Sequence, residues 1–309
     1  MDRPDVSIVV VNWNTRPLLL DCLGSVFATV EGLRYEVWVV DNGSSDGSAD
    51  AVRIAFPTVH LLENARNLGF AAANNRALRR MRGRYALLLN SDTVLVEGAV
   101  EELFRYLEDH PGAGMACGQL LNADGSAQNS VAGLPGLLSL TTNESLLRVL
   151  FPRRFPDKRR RPGNPTEVDS CIGACLMVRK EAMDAVGLLD ERFFFFLEET
   201  DWAVRMRRGG WRVCFVPHVS VYHLQGQSVG HHFHSRMLFH RSRDQYFRKW
   251  YPRAYPLLTS AAFVRILINA ALNLMGVFFT LGRVRGLREK TTLNLRLAAW
   301  YLRGRPLEE

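Results

Sequence analysis

The sequence predicts an α/β fold with a mostly parallel central sheet and a helical extension at its C-terminal end. Short β-branched apolar runs alternate with helical patterns through the first 120 residues, and this alternation is typical of parallel sheets with right-handed crossovers. A chain of 309 residues that is 47% hydrophobic and 23% charged has the composition of a folded globular protein with an ample core.

Each element of the first half rests on a local pattern. Residues 7–11 form a short, continuous β-branched run typical of a buried strand, and Pro17 suits the first turn of the helix that follows. The loop Asp-Asn-Gly-Ser-Ser-Asp-Gly at 41–47 closes the second strand. On the same reasoning we predict strands at 36–40, 59–62 and 85–89, and helices from about 48 and at 71–80.

The pattern loosens between about 120 and 165, where one helix is predicted at 137–149. Order returns with an apolar stretch at 168–178. Beyond it we predict helices at 180–186 and 200–208 and strands at 212–216 and 219–223.

Polar side chains follow three of the predicted strands where each strand ends. They read Asn-Trp-Asn at 12–14, Asp-Asn at 41–42 and Asn-Ser-Asp at 90–92. Because ligands of open parallel sheets bind beyond the carboxyl ends of the strands, we predict one shared site from these segments. Residues 12–17 contain no glycine, which excludes a dinucleotide fingerprint, and the absence of a Gly-x-x-x-x-Gly-Lys loop excludes P-loop NTPases.

Two carboxylates in these segments suit a nucleotide and a metal. Asp41 ends a strand, where a carboxylate can accept hydrogen bonds from a ribose or base. Asp92 stands at the mouth of a buried strand and suits a hard divalent cation. Each has a plainer alternative, which is an Asx turn for Asp41 and a cap of the helix near Glu97 for Asp92.

The densest acidic cluster follows four consecutive phenylalanines. Glu198, Glu199 and Asp201 come directly after 193–196, and carboxylates beside an apolar wall can act as bases near neutral pH. The alternative is an acidic helix N-terminus, which the helix dipole favours but which does not explain the phenylalanines. His223 closes the last predicted strand, where a single histidine is more often structural than a ligand.

Taken in order, these segments resemble family 2 glycosyltransferases, in particular bacterial rhamnosyltransferase-like enzymes of the inverting type. The resemblance covers roughly residues 5–230 and implies a GT-A nucleotide-sugar-binding fold. It implies transfer of a sugar, with rhamnose as a candidate, from a nucleoside-diphosphate sugar to a hydroxyl of a glycan or lipid-linked acceptor in cell-surface polysaccharide synthesis. The matching stretches are VSIVVVNWN (6–14), VVDNGSSDG (39–47), NLGF (67–70), LNSD (89–92), GAC (173–175), FLEETDW (196–202) and GWRV (210–213).

The resemblance implies a donor site. Trp13 and Asp41 match residues that contact the base and ribose of the donor, and Asn67 and Gly69 match part of a donor-binding loop.

The resemblance also implies a metal site for Mg²⁺ or Mn²⁺. Asn90-Ser91-Asp92 matches the family's DxD segment with Asn90 in place of the first acid, so Asp92 is the sole acidic ligand there. His223 matches a histidine that completes the coordination in some relatives.

The catalytic base and the acceptor site are implied in the same way. Glu198-Glu199 matches an acidic pair whose second member is the base, so Glu199 takes that role, with Glu198 as the fallback. Gly173, Ala174 and Asp201 match segments that would contact the acceptor.

Three other kinds of protein compete with this interpretation. A non-catalytic nucleotide-sugar-binding protein of the same fold is favoured by Asn90, whereas the retained Glu198-Glu199 pair argues against it. A sugar-nucleotide pyrophosphorylase would need a Gly-rich, Lys-bearing loop after the first strand, which is absent. A nucleic-acid binder is favoured by the sequence pI of about 9.5, but the basic region contains no recognition module.

The positive charge belongs to the C-terminal quarter of the chain. Residues 231–309 carry 14 Lys and Arg against 4 Asp and Glu, a net of +10, so the total of +8 leaves residues 1–230 at −2. We therefore predict a catalytic domain at 1–230 and a basic, apolar helical region at 231–309.

The basic region contains an uncharged run at 266–281, which is short for a membrane span of about 20 residues. One polar stripe interrupts its apolar surface, so we favour an in-plane membrane helix or hydrophobic hairpin over core or dimer packing and over a span. Lys and Arg around it favour an anionic surface, which predicts peripheral or monotopic attachment at the cytoplasmic face of the inner membrane. The stripe consists of Arg265, Asn269, Asn273, Gly276, Thr280 and Arg283.

Overall fold

A computed structural model describes residues 3–141, 163–224 and 232–304. The chain divides into two compact units, the first comprising Met1–Leu134 and Asp157–Ser228 and the second Pro135–Pro156 and Val229–Glu309.

The strands are β1 (Val6–Asn12), β2 (Tyr35–Asp41), β3 (His60–Glu63), β4 (Tyr85–Asn90), β5 (Thr93–Leu95), β6 (Ala113–Leu121), β7 (Val131–Ala132), β8 (Thr166–Glu167), β9 (Ser170–Cys171), β10 (Cys175–Arg179) and β11 (Arg212–His223). The helices are α1 (Arg16–Thr29), α2 (Ser48–Ala55), α3 (Phe70–Leu78), α4 (Ala99–Asp109), α5 (Leu137–Thr141), α6 (Lys180–Val186), α7 (Glu198–Arg208), α8 (His232–Trp250), α9 (Tyr255–Phe279) and α10 (Arg285–Leu302).

The first unit is built on one mixed sheet with the order β3-β2-β1-β4-β10-β6-β11-β5, to which β8 adds beside β11. Strands β1 to β4 pair in parallel, as predicted, and β6 pairs in parallel with β11. Strand β10 lies antiparallel between β4 and β6, which joins the two parallel halves. The fold is therefore α/β with a mostly parallel sheet.

Two hydrophobic clusters cover the two faces of this sheet. One contains α1 and α4 side chains packed on β1, β4 and β6, and the other contains α3, α6 and α7 side chains packed on the opposite-facing residues of the same strands. Such double coverage explains why β1 and β4 read as continuous apolar runs. All five cysteines are buried free thiols.

The structure changes several predicted boundaries. The two strands predicted at 212–216 and 219–223 are one strand, β11, with an irregularity between Val216 and Ser220. The stretch at 168–178 divides into β9 and β10. The helix predicted at 137–149 is seen as α5, and the remainder of that prediction lies outside the described residues.

The second unit is helical where it is described. Helices α9 and α10 pack against each other, and α5 packs against α9. Its small apolar core contains Ile266, Leu297 and Ala298, with Phe233, Phe263, Leu293 and Tyr301 partly buried around it. Residues 135–141 belong to this unit, whereas the sequence pattern assigned them to the first domain.

Candidate active site

The carboxyl ends of β1, β2 and β4 bring the predicted segments to one edge of the sheet. Asn12 is in register with Asp41, and Val11 is in register with Asn90. The hydroxyl groups of Thr15 and Ser91 lie 2.9 Å apart, which links the segment after β1 to the segment after β4. The predicted clustering of these segments therefore exists in the structure.

The Asp41 carboxylate is held in place on both oxygens. Oδ1 accepts a hydrogen bond from Asn12 Nδ2 (3.1 Å), and Oδ2 accepts one from the Ser44 amide (2.9 Å). The second bond is a local bond from the turn after β2, three residues on from Asp41 rather than the two of the Asx turn that the sequence left open as an alternative. The turn fixes the orientation of Asp41 and leaves lone pairs on both oxygens for a further donor. Trp13, next to this turn, is 43% exposed, which makes its indole available to a ligand.

Asn42 organises the loop that follows β3, and sequence reasoning did not single it out. Its Nδ2 donates to Asn67 Oδ1 (2.7 Å), and its Oδ1 accepts from Asn64 Nδ2 (2.8 Å) and from the Leu68 amide (2.9 Å). The Gly69 amide also donates to Asn67 Oδ1 (2.9 Å). A buried amide with this many partners indicates a loop with one defined shape. The sequence feature that could have indicated this role is the position of Asn42 directly after Asp41, the aspartate that ends β2.

Gly69 is where this loop meets the loop before α7. Its φ of +84° is in the left-handed region, and a Cβ there would overlap the Phe194 carbonyl oxygen and lie 2.7 Å from the Phe194 ring. The adjacent Phe70 amide donates to the Phe194 carbonyl (2.7 Å). Only glycine allows this close approach.

The acidic pair begins α7 directly after two left-handed residues. Phe196 and Leu197 have φ values of +72° and +67°, which is costly for residues with a Cβ and is often found at functional sites. This turn puts Glu198 and Glu199 in the first turn of α7, so the helix N-terminus of the alternative interpretation is present as well.

The two glutamates have different environments. Glu198 is buried, and its Oε2 has no hydrogen-bond partner among the described residues. Its burial and then the nearby Glu199 charge raise the pKa of Glu198 well above the ordinary value. Glu199 is partly exposed, and desolvation raises the pKa of Glu199 to about 7. Glu199 is thus the member of the pair that both reaches the surface and titrates near neutral pH.

Residues 173–174 connect the acidic pair to the strand edge. The Asn90 amide donates to the Ala174 carbonyl (2.9 Å), which ties the end of β4 to the residue before β10. A Cβ on Gly173 would lie 3.7 Å from Glu199 Cβ and Cγ. Gly173 therefore leaves room beside Glu199.

Asp92 and His223 meet through the pairing of β5 with β11. His223 is in register with Thr93, and the Leu224 amide donates to the Asp92 carbonyl (2.8 Å). His223 Nε2 lies 3.4 Å from Asp92 Oδ1, and both side chains are buried. The helix-cap alternative for Asp92 is wrong, because α4 begins at Ala99 with Gly98 as its cap.

The residues present fit a divalent cation. Asp92 Oδ1 has no hydrogen-bond partner within the described part of the chain, so a buried carboxylate oxygen lies opposite an imidazole nitrogen. Oxygen and imidazole nitrogen are ligands that Mn²⁺ accepts. Over the described ranges, no group of three or more His, Cys, Asp or Glu residues forms a complete cage. A cation here would take its other ligands from water or a phosphate.

Asp201 differs from what the resemblance implies. It is completely buried, and its Oδ2 accepts a hydrogen bond from Arg205 Nε (2.9 Å). Arg205 in turn donates to the carbonyls of Val186 and Leu188 (2.7 Å each). This burial is at odds with direct acceptor contact, and Asp201 instead anchors α7 to the segment after α6.

Comparison with known proteins agrees with this architecture. A family model described as glycosyl transferase family 2 matches residues 7–187. An N-acetylglucosaminyl-diphospho-decaprenol L-rhamnosyltransferase of Mycobacterium tuberculosis (strain ATCC 25618 / H37Rv) is 28% identical over 257 residues, which cover 78% of this chain and 82% of that protein. A low-salt glycan biosynthesis hexosyltransferase of Haloferax volcanii is 26% identical over 210 residues, which cover 66% of this chain and 62% of that protein.

Solved structures show the same fold. A mannosyltransferase from Pyrobaculum calidifontis, in complex with GDP-Man and Mn²⁺, matches with a TM-score of 0.58 at 19% identity and covers 98% of this chain and 87% of that one. The fold is therefore that of GT-A glycosyltransferases, as the sequence predicts. Because the family model spans more than half of its residues, this chain belongs to glycosyl transferase family 2.

Proposed function

We propose that this glycosyltransferase is an inverting, metal-dependent enzyme that uses a nucleoside-diphosphate sugar and a hydroxyl group of a glycan or polyprenyl-linked acceptor. The observation that carries the proposal is the position of Glu199. It is partly exposed, and it lies beside Gly173, next to the strand edge that bears Asp41 and Asp92. A base beside an open position and next to a nucleotide-binding edge is the arrangement that an inverting transfer needs.

The donor side of the site is formed by Trp13, Asp41, Asn67 and Gly69. The Asp41 oxygens are oriented for a ribose or base donor, and Trp13 offers an exposed aromatic face. The hydrogen bonds of Asn42 and Asn67 hold Asn67 and Gly69 in one conformation. Binding of the donor would therefore require little further ordering of this loop.

Asp92 and His223 would hold Mg²⁺ or Mn²⁺, with Asn90 beside them. Asn90 Nδ2 lies 3.5 Å from His223 Nε2. When bound, the cation would supply positive charge for the departing nucleoside diphosphate. Asp92 would contribute one carboxylate oxygen and His223 one imidazole nitrogen, which leaves coordination positions for phosphate oxygens.

Glu199 is the proposed base. With a pKa of about 7, it is ionised in about half of the molecules near neutral pH and can accept the proton of an acceptor hydroxyl. Burial and then the nearby Glu199 charge raise the pKa of Glu198 well above its ordinary value, which disfavours a second negative charge beside Glu199. Gly173 and Ala174 would border the acceptor beside this pair.

The mycobacterial relative suggests the substrates. Its name describes transfer of L-rhamnose to an N-acetylglucosaminyl-diphospho-decaprenol. We therefore propose a nucleotide-activated rhamnose as the donor and a diphosphate-linked polyprenol sugar as the acceptor, for the synthesis of a cell-surface polysaccharide.

The second unit supports attachment to an anionic membrane surface. Helix α9 is long and apolar enough to cross a membrane. Only 17% of its most apolar 18-residue stretch is buried, so most of this apolar stretch lies on the outside of the second unit. Two residues of its polar stripe pack inward: Arg265 donates to the Leu140 carbonyl (2.9 Å), and a Cβ on Gly276 would lie 3.0 Å from Leu287. The exposed large apolar side chains of α9 are Leu257, Val264, Leu267, Ile268, Leu272, Leu274, Met275, Phe278 and Phe279.

An apolar exterior of this kind is suited to lipid rather than to water. Arg283, Arg285, Arg288 and Lys290 are exposed at the turn and first residues of α10, close in the chain to Phe278 and Phe279. Apolar insertion combined with basic residues favours an anionic leaflet, such as the cytoplasmic face of the inner membrane. A homodimer that covers α9 is the competing outcome.

The test is a screen of the full-length protein against UDP-, GDP- and dTDP-sugars with Mg²⁺ or Mn²⁺. Saturation-transfer NMR would measure binding, and release of nucleoside diphosphate in the presence of a diphosphate-linked lipid acceptor would measure transfer. We expect one nucleotide sugar to bind and to be consumed only with acceptor and metal. Binding without turnover would contradict the enzyme assignment, and the absence of any binding would contradict the donor site as well.

A further inference from the structure

Gln128 contacts His223 twice. Its Nε2 donates to the His223 carbonyl oxygen (2.5 Å), and its Oε1 lies 3.0 Å from His223 Nδ1. The atom of the Gln128 side-chain amide that faces the His223 carbonyl must be the nitrogen, because a carbonyl oxygen only accepts hydrogen bonds. The other atom of this amide, which faces the His223 ring, is therefore the oxygen. Oε1 can only accept, so the proton between the two side chains belongs to His223 Nδ1.

The location of this proton decides what the other side of the ring can do. A neutral imidazole with its proton on Nδ1 has a free lone pair on Nε2. That nitrogen lies 3.4 Å from Asp92 Oδ1, the buried oxygen with no hydrogen-bond partner among the described residues. Asn90 Nδ2 lies 3.5 Å from the same nitrogen. The Gln128 amide therefore leaves a nitrogen lone pair beside a carboxylate oxygen and the Asn90 amide, an arrangement that a bound cation would stabilise.

Gln128 is itself firmly held. It follows a tight turn after β6, and its backbone amide donates to the Leu120 carbonyl (2.7 Å). Its backbone carbonyl accepts a hydrogen bond from Gln119 Nε2 (2.7 Å). The end of β6 pairs with β11 through Leu121 and Tyr222, next to His223. Gln128 is only 6% exposed, so the amide contacts His223 without competition from bulk water.

We propose that Gln128 is a positioning residue that fixes the ring orientation and the Nδ1–H form of His223, and so prepares Nε2 to bind a divalent cation together with Asp92. This inference rests on the proposed metal-dependent function. It assigns a role to a residue outside the recognised motifs. Outer hydrogen-bond partners of this kind typically change metal affinity by about 10- to 100-fold when they are removed.

Two measurements on the full chain test this, and neither depends on catalysis. The first is long-range ¹H–¹⁵N NMR of protein labelled with ¹⁵N-histidine and free of metal, with the His223 signals assigned by their loss in His223→Gln. We expect wild type to show the Nδ1–H form. We expect Gln128→Met, which keeps the length of the side chain and removes both bonds, to lose that preference.

The second measurement is a titration with Mn²⁺ alone, followed by the EPR signal of the free ion. Gln128→Met should bind Mn²⁺ about 10- to 100-fold more weakly than wild type. Asn75→Leu is the control, because it likewise removes a buried, hydrogen-bonded side-chain amide of the first unit, and the Asn75 amide bonds to Leu189 and Glu191 rather than to Gln128 or His223. If Gln128→Met does not fold, Gln128→Asn keeps the amide but shortens its reach and should show the same two changes.

The outcomes separate this inference from the proposed function. An unchanged His223 tautomer, or equal Mn²⁺ affinities for wild type and Gln128→Met, would overturn the inference while leaving donor binding and transfer intact. An equal loss of affinity in Asn75→Leu at equal loss of Tm would also overturn it, since the effect would then be one of stability. Failure of every nucleotide sugar to bind would overturn the function instead.

Discussion

The amide of Phe70 donates a hydrogen bond to the carbonyl of Phe194 (2.7 Å), and this bond joins the loop after β3 to the loop before α7. One loop carries Asn67 and Gly69 of the proposed donor side, and the other leads into Glu199. The two halves of the candidate site therefore share one backbone contact. Any change that separates the loops should affect donor binding and proton transfer together.

Gly69→Ala tests this contact. The new Cβ would overlap the Phe194 carbonyl at a φ of +84°, so the loops must separate. Since displacement of a catalytic group by about 1 Å can cost about 100-fold in rate, we expect a loss of kcat/KM of that order. Gly98→Ala is the matched control, because Gly98 has a φ of +75° with no atom within 4 Å of a new Cβ. It should lose about 1–2 kcal/mol of stability from backbone strain and keep its activity. Equal activities of the two variants would contradict the account.

The pH dependence of kcat/KM distinguishes the two glutamates. Because the pKa of Glu199 is raised to about 7 and its ionised form is the proposed base, activity should increase with pH through about 7 and then level off. Glu198→Gln should keep that rise near pH 7, since the Glu199 pKa is raised mainly by desolvation. If the increase of kcat/KM with pH near 7 disappeared in Glu198→Gln, Glu198 would be the base instead of Glu199.

The sequence predicted the parallel strands β1, β2 and β4 because each is a short apolar run that ends in polar residues. It therefore predicted the meeting of Asn12, Asp41 and Asn90 at one edge. It did not predict the Phe194 contact or the role of Gln128, since both depend on how β10 and β11 insert among strands that are distant in sequence. Local patterns carry no information on such pairings.

The sequence also left Asp201 and the α9 stripe ambiguous. Asp201 stands in an acidic cluster, but a helix turn places it four residues before Arg205, where it forms a buried ion pair instead of facing the cleft. The sequence showed that the polar residues of α9 share one stripe, but not what the stripe contacts. In the structure Arg265 contacts α5 and Gly276 lies against α10, whereas many of the large apolar residues of α9 are exposed.

Removal of the metal or of its carboxylate should have the same effect. We expect EDTA to abolish transfer by the wild type and Mn²⁺ to restore it. Asp92→Ala should bind Mn²⁺ more weakly and stay inactive at Mn²⁺ concentrations that saturate the wild type, because one of the two proposed protein ligands is gone. Asp50→Ala is the control, since the Asp50 side chain is 79% exposed on α2 and pairs only with Arg53 in the described structure. Full activity of Asp92→Ala in EDTA would contradict a metal role.

Membrane attachment is tested by flotation with vesicles of phosphatidylglycerol or phosphatidylcholine. The wild type should float with the anionic vesicles, and the double variant Phe278→Asp, Phe279→Asp should remain in solution, because two charges then replace side chains that are 75% and 80% exposed. Ile54→Asp changes a side chain that is 84% exposed on α2 and should float as the wild type does. If the double variant floats normally but changes from dimer to monomer by light scattering, α9 is a dimer surface instead.

The most direct test of the account is Glu199→Gln, which keeps the shape of the side chain and removes the base. We expect it to bind the nucleotide sugar as the wild type does, by saturation-transfer NMR, and to lose about 100- to 10,000-fold in sugar transfer, the usual contribution of a positioned base. Sugar transfer at the wild-type rate by Glu199→Gln would contradict the assignment of Glu199 as the catalytic base.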